Sequence, residues 1–231
     1  MERRKFVIGL GALASGSAAA MGTGAFSAAS MDRDANIDVV NDATGLIGLV
    51  PGDTDLVYET QNPGELKIDF TSDNGGEGVN VNSKYQVGAM FNVGNALEVP
   101  GNSPTSNPAF EVRNQSNSTQ NLVIDYELTG DSGSWPSDNG SKLYFQARPI
   151  GGAEWGGYPI KDLTKTAEVG SNGGAVIAYT ENNVNDDRIP AGNAVGVSIL
   201  VDTTGENASP SDDLSGVLKI RAGSEALAAQ P

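Results

Sequence analysis

Four asparagines have the sequence context that points most directly to chemistry. Each begins an Asn-X-Ser/Thr sequon, whose side-chain amide accepts an N-linked glycan in exported proteins. Each also lies in a polar stretch that predicts a solvent-facing loop. The first two sequons are too close together for both to carry full glycans, and a proline directly after the last one disfavours it. The candidate N-glycosylation sites are Asn114, Asn117, Asn139 and Asn207.

Carboxylates are the other abundant reactive groups, but the chain lacks the residues that usually accompany them in catalysis. It has 29 Asp and Glu residues, with no His and no Cys. The commonest general base, a thiol nucleophile, thiolate metal ligands and disulfide bonds are therefore excluded. The motifs G-x-S-x-G, S-x-x-K and H-E-x-x-H do not occur either. We predict that the protein is not an enzyme and has no catalytic residue and no cofactor.

Acidic loops are the remaining candidates for a metal site, because Ca²⁺ prefers carboxylate and carbonyl oxygens. The candidates are Asp186-Asp187, Asp212-Asp213, and Asp73 with Glu77. None follows an EF-hand or a repeat-type calcium loop. We interpret them as solvated loop residues and predict no metal site.

The charge of the chain is strongly negative, with 14 Lys and Arg against 29 Asp and Glu and a formal net charge of −15. Such a surface repels nucleic acid and anionic lipid, so neither is an expected partner. One interpretation is an acidic surface that binds cations or a basic partner. The other is adaptation to molar salt, where repulsion is screened within about 3 Å. The scattered placement of the acids favours adaptation to salt.

The first 29 residues have the features of an export signal. Arg3 and Arg4 precede an apolar, Gly/Ala-rich stretch, which is typical of a twin-arginine signal. Small residues end the stretch, so cleavage is expected after Ala29, within a few residues. The alternative is an uncleaved N-terminal anchor. Cleavage would leave an extracellular or cell-surface protein with no membrane anchor.

Many short apolar stretches with period-two alternation are separated by Gly, Asn, Asp and Pro. The clearest pair is 109–113 with 122–128, for which we expect a hairpin-type connection. We leave two stretches open: 87–97 as a strand or a short helix, and 163–169 unassigned. The other predicted strands are 36–40, 46–50, 56–58, 65–70, 142–147, 175–179, 194–201 and 214–221.

These strands predict an all-β fold, a jelly-roll-like β-sandwich forming a single domain after an N-terminal signal peptide. The chain divides into the signal at 1–29, an N-terminal strand segment at 30–41, the sandwich at 42–223 and a C-terminal tail at 224–231. Trp135 and Trp155 lie in turn-like surroundings. They either pack a loop onto the core, which we expect, or stack on sugars.

A resemblance to a known family is carried by three parts of the chain. They are RRKFVIGLGALASGSAAAMGTGAFSA with the following DRDANIDVVNDATGLIGLVPG, the strand pair AFEVRNQSNSTQNLVIDYEL, and VSILVDTTG with LSGVLKIRAG. Together they resemble haloarchaeal exported proteins whose signal peptides are cut by SipW-like peptidases. That family is more distantly similar to TasA and camelysin and to the subunits of archaeal bundling pili. The protease activity described for camelysin is not implied, because this chain has no His.

The resemblance implies a structural subunit of an extracellular filament or biofilm matrix, assembled by donor-strand complementation. Ile37 and Val39 alternate with Asp38 just after the cleavage site and would be the apolar residues of the donor strand. The expected partners are copies of the chain itself or related surface subunits. The alternative function is a monomeric cell-surface binding module, either an adhesin or a carbohydrate binder.

Overall fold

The computed structural model describes residues 45–61, 64–70, 78–93, 107–129, 139–150, 154–155, 157–169, 175–183 and 186–229. All of them belong to one compact unit, Val39–Pro231. The predictions for the signal residues Arg3, Arg4 and Ala29, and for Ile37 and Val39, lie outside the described residues. Those predictions therefore stay predictions.

Thirteen strands are formed by the described residues. In chain order they are β1 (Ile47–Pro51), β2 (Val57–Glu59), β3 (Leu66–Ile68), β4 (Lys84–Val87), β5 (Phe110–Asn114), β6 (Leu122–Leu128), β7 (Lys142–Ile150), β8 (Glu154–Trp155), β9 (Tyr158–Pro159), β10 (Lys165–Val169), β11 (Ala175–Tyr179), β12 (Ala194–Asp202) and β13 (Gly216–Ala222).

Two antiparallel sheets pack face to face. The larger has the order β1-β5-β12-β7-β10, with β4 paired to the second half of β12, and the smaller has the order β11-β6-β13. The chain passes between the two sheets at β5–β6, β6–β7, β10–β11, β11–β12 and β12–β13, as in jelly-roll-like folds. The pairs β2–β3 and β8–β9 are separate short ribbons. The predicted all-β sandwich is confirmed.

The core lies between the inner faces of these sheets. Phe110 and Val112 of β5 are fully buried, as is Ile199 of β12. Across the interface, Tyr126 of β6 meets Phe145 of β7 with ring centroids 5.1 Å apart. The predicted alternation in β6 is confirmed, since its inward residues form part of this core.

The strand β12 is buried at every position because both of its faces are covered. Its inner face joins the sandwich core. Its outer face is covered by residues 88–93, with Met90 and Val93 packed on Leu200 and Tyr144. A strand covered on both faces needs a continuous apolar run, and the sequence AVGVSILVD provides it.

The predicted hairpin between 109–113 and 122–128 is wrong. Both segments are strands, but β5 pairs with β1 and β12, whereas β6 pairs with β11 and β13. The polar connection carries the chain from one sheet to the other. The two strands bury their apolar faces in the same core from opposite sheets. Alternation in sequence shows only that each strand has an apolar face, so it cannot distinguish this arrangement from two strands paired in a hairpin.

The stretch 87–97 does not form the predicted strand or helix in the part that is described. A strand ends at Val87, and Gly88 follows with a φ of 82°, a left-handed conformation that interrupts the ladder. A Cβ atom at Gly88 would lie 2.5 Å from Oγ of Ser198. The close approach lets residues 88–93 cross the outer face of the larger sheet.

Two short helices were not predicted. A 3-10 helix (Ile160–Leu163) ends at the first residue of the unassigned stretch 163–169, most of which forms β10. Residues Ser224–Ala228 form α1 within the predicted C-terminal tail. Ala226 is fully buried, and α1 packs on β13 and β6. Most of the segment predicted as a tail therefore belongs to the folded unit. Among the described residues, no helix is long and apolar enough to cross a membrane.

Candidate assembly edge and glycosylation sites

One side of the sandwich covers its core incompletely. A set of apolar residues packs on the core yet stays half-exposed. These residues lie on β1, in the β2–β3 region, at Val79, at the end of β6, on β13 and just before β13. They are Ile47, Leu49, Leu56, Leu66, Ile68, Phe70, Val79, Leu128, Leu214, Leu218 and Ile220. We call the region they form the open side.

The incomplete covering of the core is clearest at the edge strand β13. Its inward residues Leu218 and Ile220 are half-buried, although Ile124, paired with Ile220 on the neighbouring strand, is only 2% exposed. In the described part of the chain, β13 is hydrogen-bonded to β6 alone within its sheet. Its second edge therefore presents backbone groups that another strand could pair with.

The opposite side of the sandwich is closed. There β10 packs against β11 at the edges of the two sheets. The inward residues Ile177 and Tyr179 of β11 are almost fully buried, and Tyr179 Oη donates to Ala147 O at 2.8 Å. Burial raises the pKa of Tyr179 well above its usual value. The two edges of the smaller sheet thus differ, and β13 is the edge toward β5 and β1.

The outward face of β13 carries two paired basic residues and the exposed Val217. Lys219 pairs with Glu127, and Arg221 pairs with Asp125 at 3.2 Å, both across to β6. These ion pairs make much of this face polar, although Val217 on the same face is 46% exposed. The residues of the open side named above differ from Val217 because they pack on the core between the sheets.

The sequon asparagines fall into different environments. Asn114 is 1% exposed, and its Nδ2 donates to Ser118 O at 2.8 Å and to Ile189 O at 2.9 Å. A glycan on this nitrogen would require both hydrogen bonds to break and the side chain to leave its site. The structure therefore makes Asn114 a poor acceptor once the chain is folded. Asn117, three residues later, is exposed together with Thr119, the hydroxyl residue of its sequon.

The other two sequons, far apart in sequence, are neighbours in the fold. Asn139 and Asn207 are both exposed, and Asn207 N donates to Asn139 O at 3.0 Å. The hydroxyl residue of the first of these sequons, Ser141, is 3% exposed. A glycan on either asparagine would crowd the other, so the tertiary structure makes them alternatives.

We predict that Asn117 carries a glycan in protein recovered from the cell surface and that Asn114 does not. Glycopeptide mass spectrometry is the measurement. Asn117→Gln should remove the glycan mass from this loop, whereas Asn114→Gln should leave it. The second substitution should instead lower the free energy of unfolding by about 1–3 kcal/mol, because it disturbs the two hydrogen bonds that a buried amide donates. A glycan on Asn114 of folded protein would contradict the prediction.

The carboxylates of the described acidic loops are bound by basic side chains and backbone N–H groups of the protein itself. Asp187 is 3% exposed, lies 2.8 Å from Nζ of Lys165 and accepts from Thr180 N. Asp186 pairs with Arg188, whose hydrogen bonds lower the pKa of the carboxyl.

The second described acidic loop is arranged in a similar way. Burial alone would raise the pKa of Asp212, but hydrogen bonds from Ser141 and Ser209 outweigh it and lower the pKa. Within the segments described above, no group of three acids is placed to hold a metal ion. Asp73 and Glu77 lie outside those segments.

Trp155 packs onto the core, as expected, although it lies in the short β8–β9 ribbon and not in a loop. It is 3% exposed and meets Tyr179 edge-on at 6.0 Å. It therefore offers no platform for a sugar. Trp135 lies outside the described residues.

A shallow polar cleft of about 340 Å³ lies at the β7–β12 end of the larger sheet, beside the paired sequons. Tyr144 supplies an aromatic ring, and Lys142, Asp202 and Glu206 supply charge. Lys142 is already paired with Glu168 at 2.7 Å. The remaining lining residues are Asn139, Gly140, Thr204 and Gly205.

Comparison with known proteins gives one similarity. The sequence profile of a family described as a protein of unknown function (DUF1102) matches residues 39–148. The match begins before β1 and ends within β7, so it includes the β1–β3 part of the open side and β6, but not β13. No curated protein and no solved structure matches the chain.

Proposed function

We propose that this protein is an exported structural subunit of an extracellular filament or matrix. In this proposal a strand from one copy fills the open side of the next. The observation that carries it is the set of half-buried core residues along β1–β3 and β13. These apolar side chains pack on the core but remain partly exposed to water. Covering them with another strand would stabilise the assembly by about 25 cal/mol for each Å² of apolar surface removed from water.

The sequence provides a predicted strand a short distance before β1 in the chain. Residues 36–40 read NIDVV and precede β1 by a short stretch of chain. Ile37 and Val39 share one face of a strand, so they would enter the gap together while Asp38 stays outside. Strand addition also supplies backbone hydrogen bonds to an unpaired edge. The same strand could cover its own subunit, and this is the competing arrangement.

The alternative function is a monomeric surface-binding module, and the polar cleft is the observation that favours it. An aromatic ring beside carboxylates is a common way to bind a sugar. Tyr144 is half-buried, however, and the neighbouring charges are largely paired within the protein. The open side therefore supports the assembly proposal more strongly.

Negative-stain electron microscopy of purified secreted protein tests the proposal. Wild type should form filaments, whereas deletion of residues 36–40 should leave a folded monomer. Ile37→Asp with Val39→Asp should act like the deletion, because two charges would enter an apolar gap. Asn36→Asp with Asn41→Asp is the matched control. It adds the same charge just outside the alternating pair and should still polymerise.

The double variant also tests the direction of assembly. It lacks a working donor strand but keeps its open side, so it can accept a strand and cannot pass one on. Small amounts added to wild type should therefore shorten the filaments. Unchanged filaments in the deletion variant would refute strand exchange through this segment. A wild type that never polymerises would favour the binding module instead.

A further inference from the structure

Arg148 is a buried cation on the outer face of the larger sheet. It lies on β7 in the outward row Tyr144, Gln146 and Arg148, and only 8% of its surface is exposed. Its Nε is buried and has no hydrogen-bond partner among the described residues. An arginine so enclosed is normally matched by a carboxylate, because removing a guanidinium from water is costly.

The segment 88–93 fixes an aromatic ring beside this guanidinium. Gln146 Nε2 donates to Phe91 O, and Phe91 N donates to Gln146 Oε1, both at 2.6 Å. Ser198 Oγ also donates to Ala89 O at 2.8 Å. The ring of Phe91 lies 5.2 Å from Cζ of Arg148, and the residue is 43% exposed. A cation and a half-exposed apolar ring are thus held together at the surface.

No carboxylate of the described segments reaches Arg148. The nearest candidate by sheet register is Glu111 on β5, which is separated from Arg148 by Gly196 of β12. Ile150 and Pro108 occupy the space above Gly196, where a Cβ would meet them at 2.9 and 3.0 Å. Glu111 is itself engaged by Arg113 at 2.7 Å.

The other basic residues of the described segments differ from Arg148, because nearly all of them are paired with acids. Apart from exposed Lys161, each of them forms an ion pair: Lys67, Lys84, Arg113, Lys142, Lys165, Arg188, Lys219 and Arg221. Burial lowers the pKa of Arg148, yet a guanidinium stays protonated at any ordinary pH. Although the chain has twice as many acids as bases, none of the described acids forms an ion pair with this buried positive charge.

We propose that Arg148 and Phe91 form a binding site for a carboxylate group. A guanidinium presents a planar fork that matches a carboxylate with two parallel hydrogen bonds. The ring of Phe91 gives an apolar contact to the carbon chain that carries the carboxylate. Arginine beside a half-exposed aromatic residue is also a combination typical of interaction hot spots.

Two sources can supply this chemistry, a free organic acid or an acidic side chain of a second copy. The chain carries 29 Asp and Glu residues, so a second copy presents many of them. The site lies on the outer face of the larger sheet, away from the gap between the sheets. It therefore does not depend on donor-strand assembly.

Titration with sodium acetate at constant ionic strength, replacing chloride, tests the free-acid source. The Nε–Hε resonance of Arg148 in ¹⁵N NMR spectra reports binding directly. In the non-polymerising Ile37→Asp, Val39→Asp variant this resonance should show a saturable shift, and adding Lys161→Gln, which removes an exposed cation, should leave that shift unchanged. Phe91 resonances should follow acetate in both proteins but lose the response in Arg148→Gln. Arg148→Lys should bind about tenfold more weakly or worse, because the fork is lost.

Sedimentation equilibrium tests the second-copy source. The Ile37→Asp, Val39→Asp variant, which cannot polymerise by strand exchange, should self-associate weakly at high concentration, and acetate should compete. In the same background, Arg148→Gln should abolish this association, whereas Lys161→Gln should keep it. This arm separates the site from the proposed function, because it uses a variant without a working donor strand. If Arg148→Gln fails to fold by circular dichroism, the acetate-dependent shift of the Arg148 resonance and its weakening in Phe91→Ala remain as tests. Absence of both the acetate shift and the competed association would overturn the proposal.

Discussion

Replacing Phe110 by Ala should lower the free energy of unfolding by about 3–5 kcal/mol. Phe110 is fully buried at the start of β5, and its strand is held by β1 on one side and β12 on the other. Removing the ring loses its transfer free energy and leaves a cavity between two sheets that cannot close without shifting paired strands. Urea unfolding at fixed high salt, followed by circular dichroism, measures the change.

Phe91→Ala is the matched control for this prediction. It removes the same side chain, but from a residue that is 43% exposed. Its expected cost is below about 1.5 kcal/mol, including the contact with Arg148. Similar losses for the two variants would contradict a core placed between the inner faces of the sheets.

Lowering the salt concentration should destabilise the protein more than any single substitution. The formal net charge is −15, and nearly all basic residues of the described segments are already paired. The excess carboxylates therefore have only salt to screen them. Removal of the first 29 residues would deepen the imbalance, because that segment holds three basic residues and one acid. Between about 1 M and 0.01 M salt, the screening length grows from about 3 Å to about 30 Å.

The melting temperature should fall continuously as salt is diluted, with loss of β structure at the low end. Circular dichroism across a NaCl series measures it. Sucrose at matched osmolality is the control, since it stabilises compact states without screening charge, and it should restore much less of the melting temperature. A melting temperature unchanged from molar salt to about 0.1 M would contradict adaptation to salt.

The positions of most strands followed from local pattern. Alternation over 122–128 predicted β6, and the apolar run at 194–201 predicted β12, to within one residue. A strand's side chains alternate between two faces whatever it pairs with, so this signal survives without tertiary context. The sandwich class followed for the same reason, from many short strands separated by turn residues. The absence of His and Cys likewise limited the chemistry from composition alone.

Sheet membership was decided only by the tertiary structure. Residues 109–113 and 122–128 look like a hairpin in sequence, yet they lie in opposite sheets. Both arrangements bury the same apolar faces, and the choice depends on pairings with β1, β11, β12 and β13 that are distant along the chain. The segment 88–93 is a similar case, because a glycine and a contact with Ser198 set its course over the sheet.

For the candidate sites too, local sequence identified the residue types, and the tertiary structure decided their environments. Sequence marked Asn114 and Asn117 as equivalent sequons, but long-range hydrogen bonding buries the first and leaves the second exposed. Nothing in the sequence distinguished Arg148 from other basic residues. Its separation from Glu111, the nearest described acid by sheet register, arises because Gly196 and the side chains above it lie between the two. Residue type and period are local properties, whereas the partner of a buried polar group is set by strands that meet only in the folded chain.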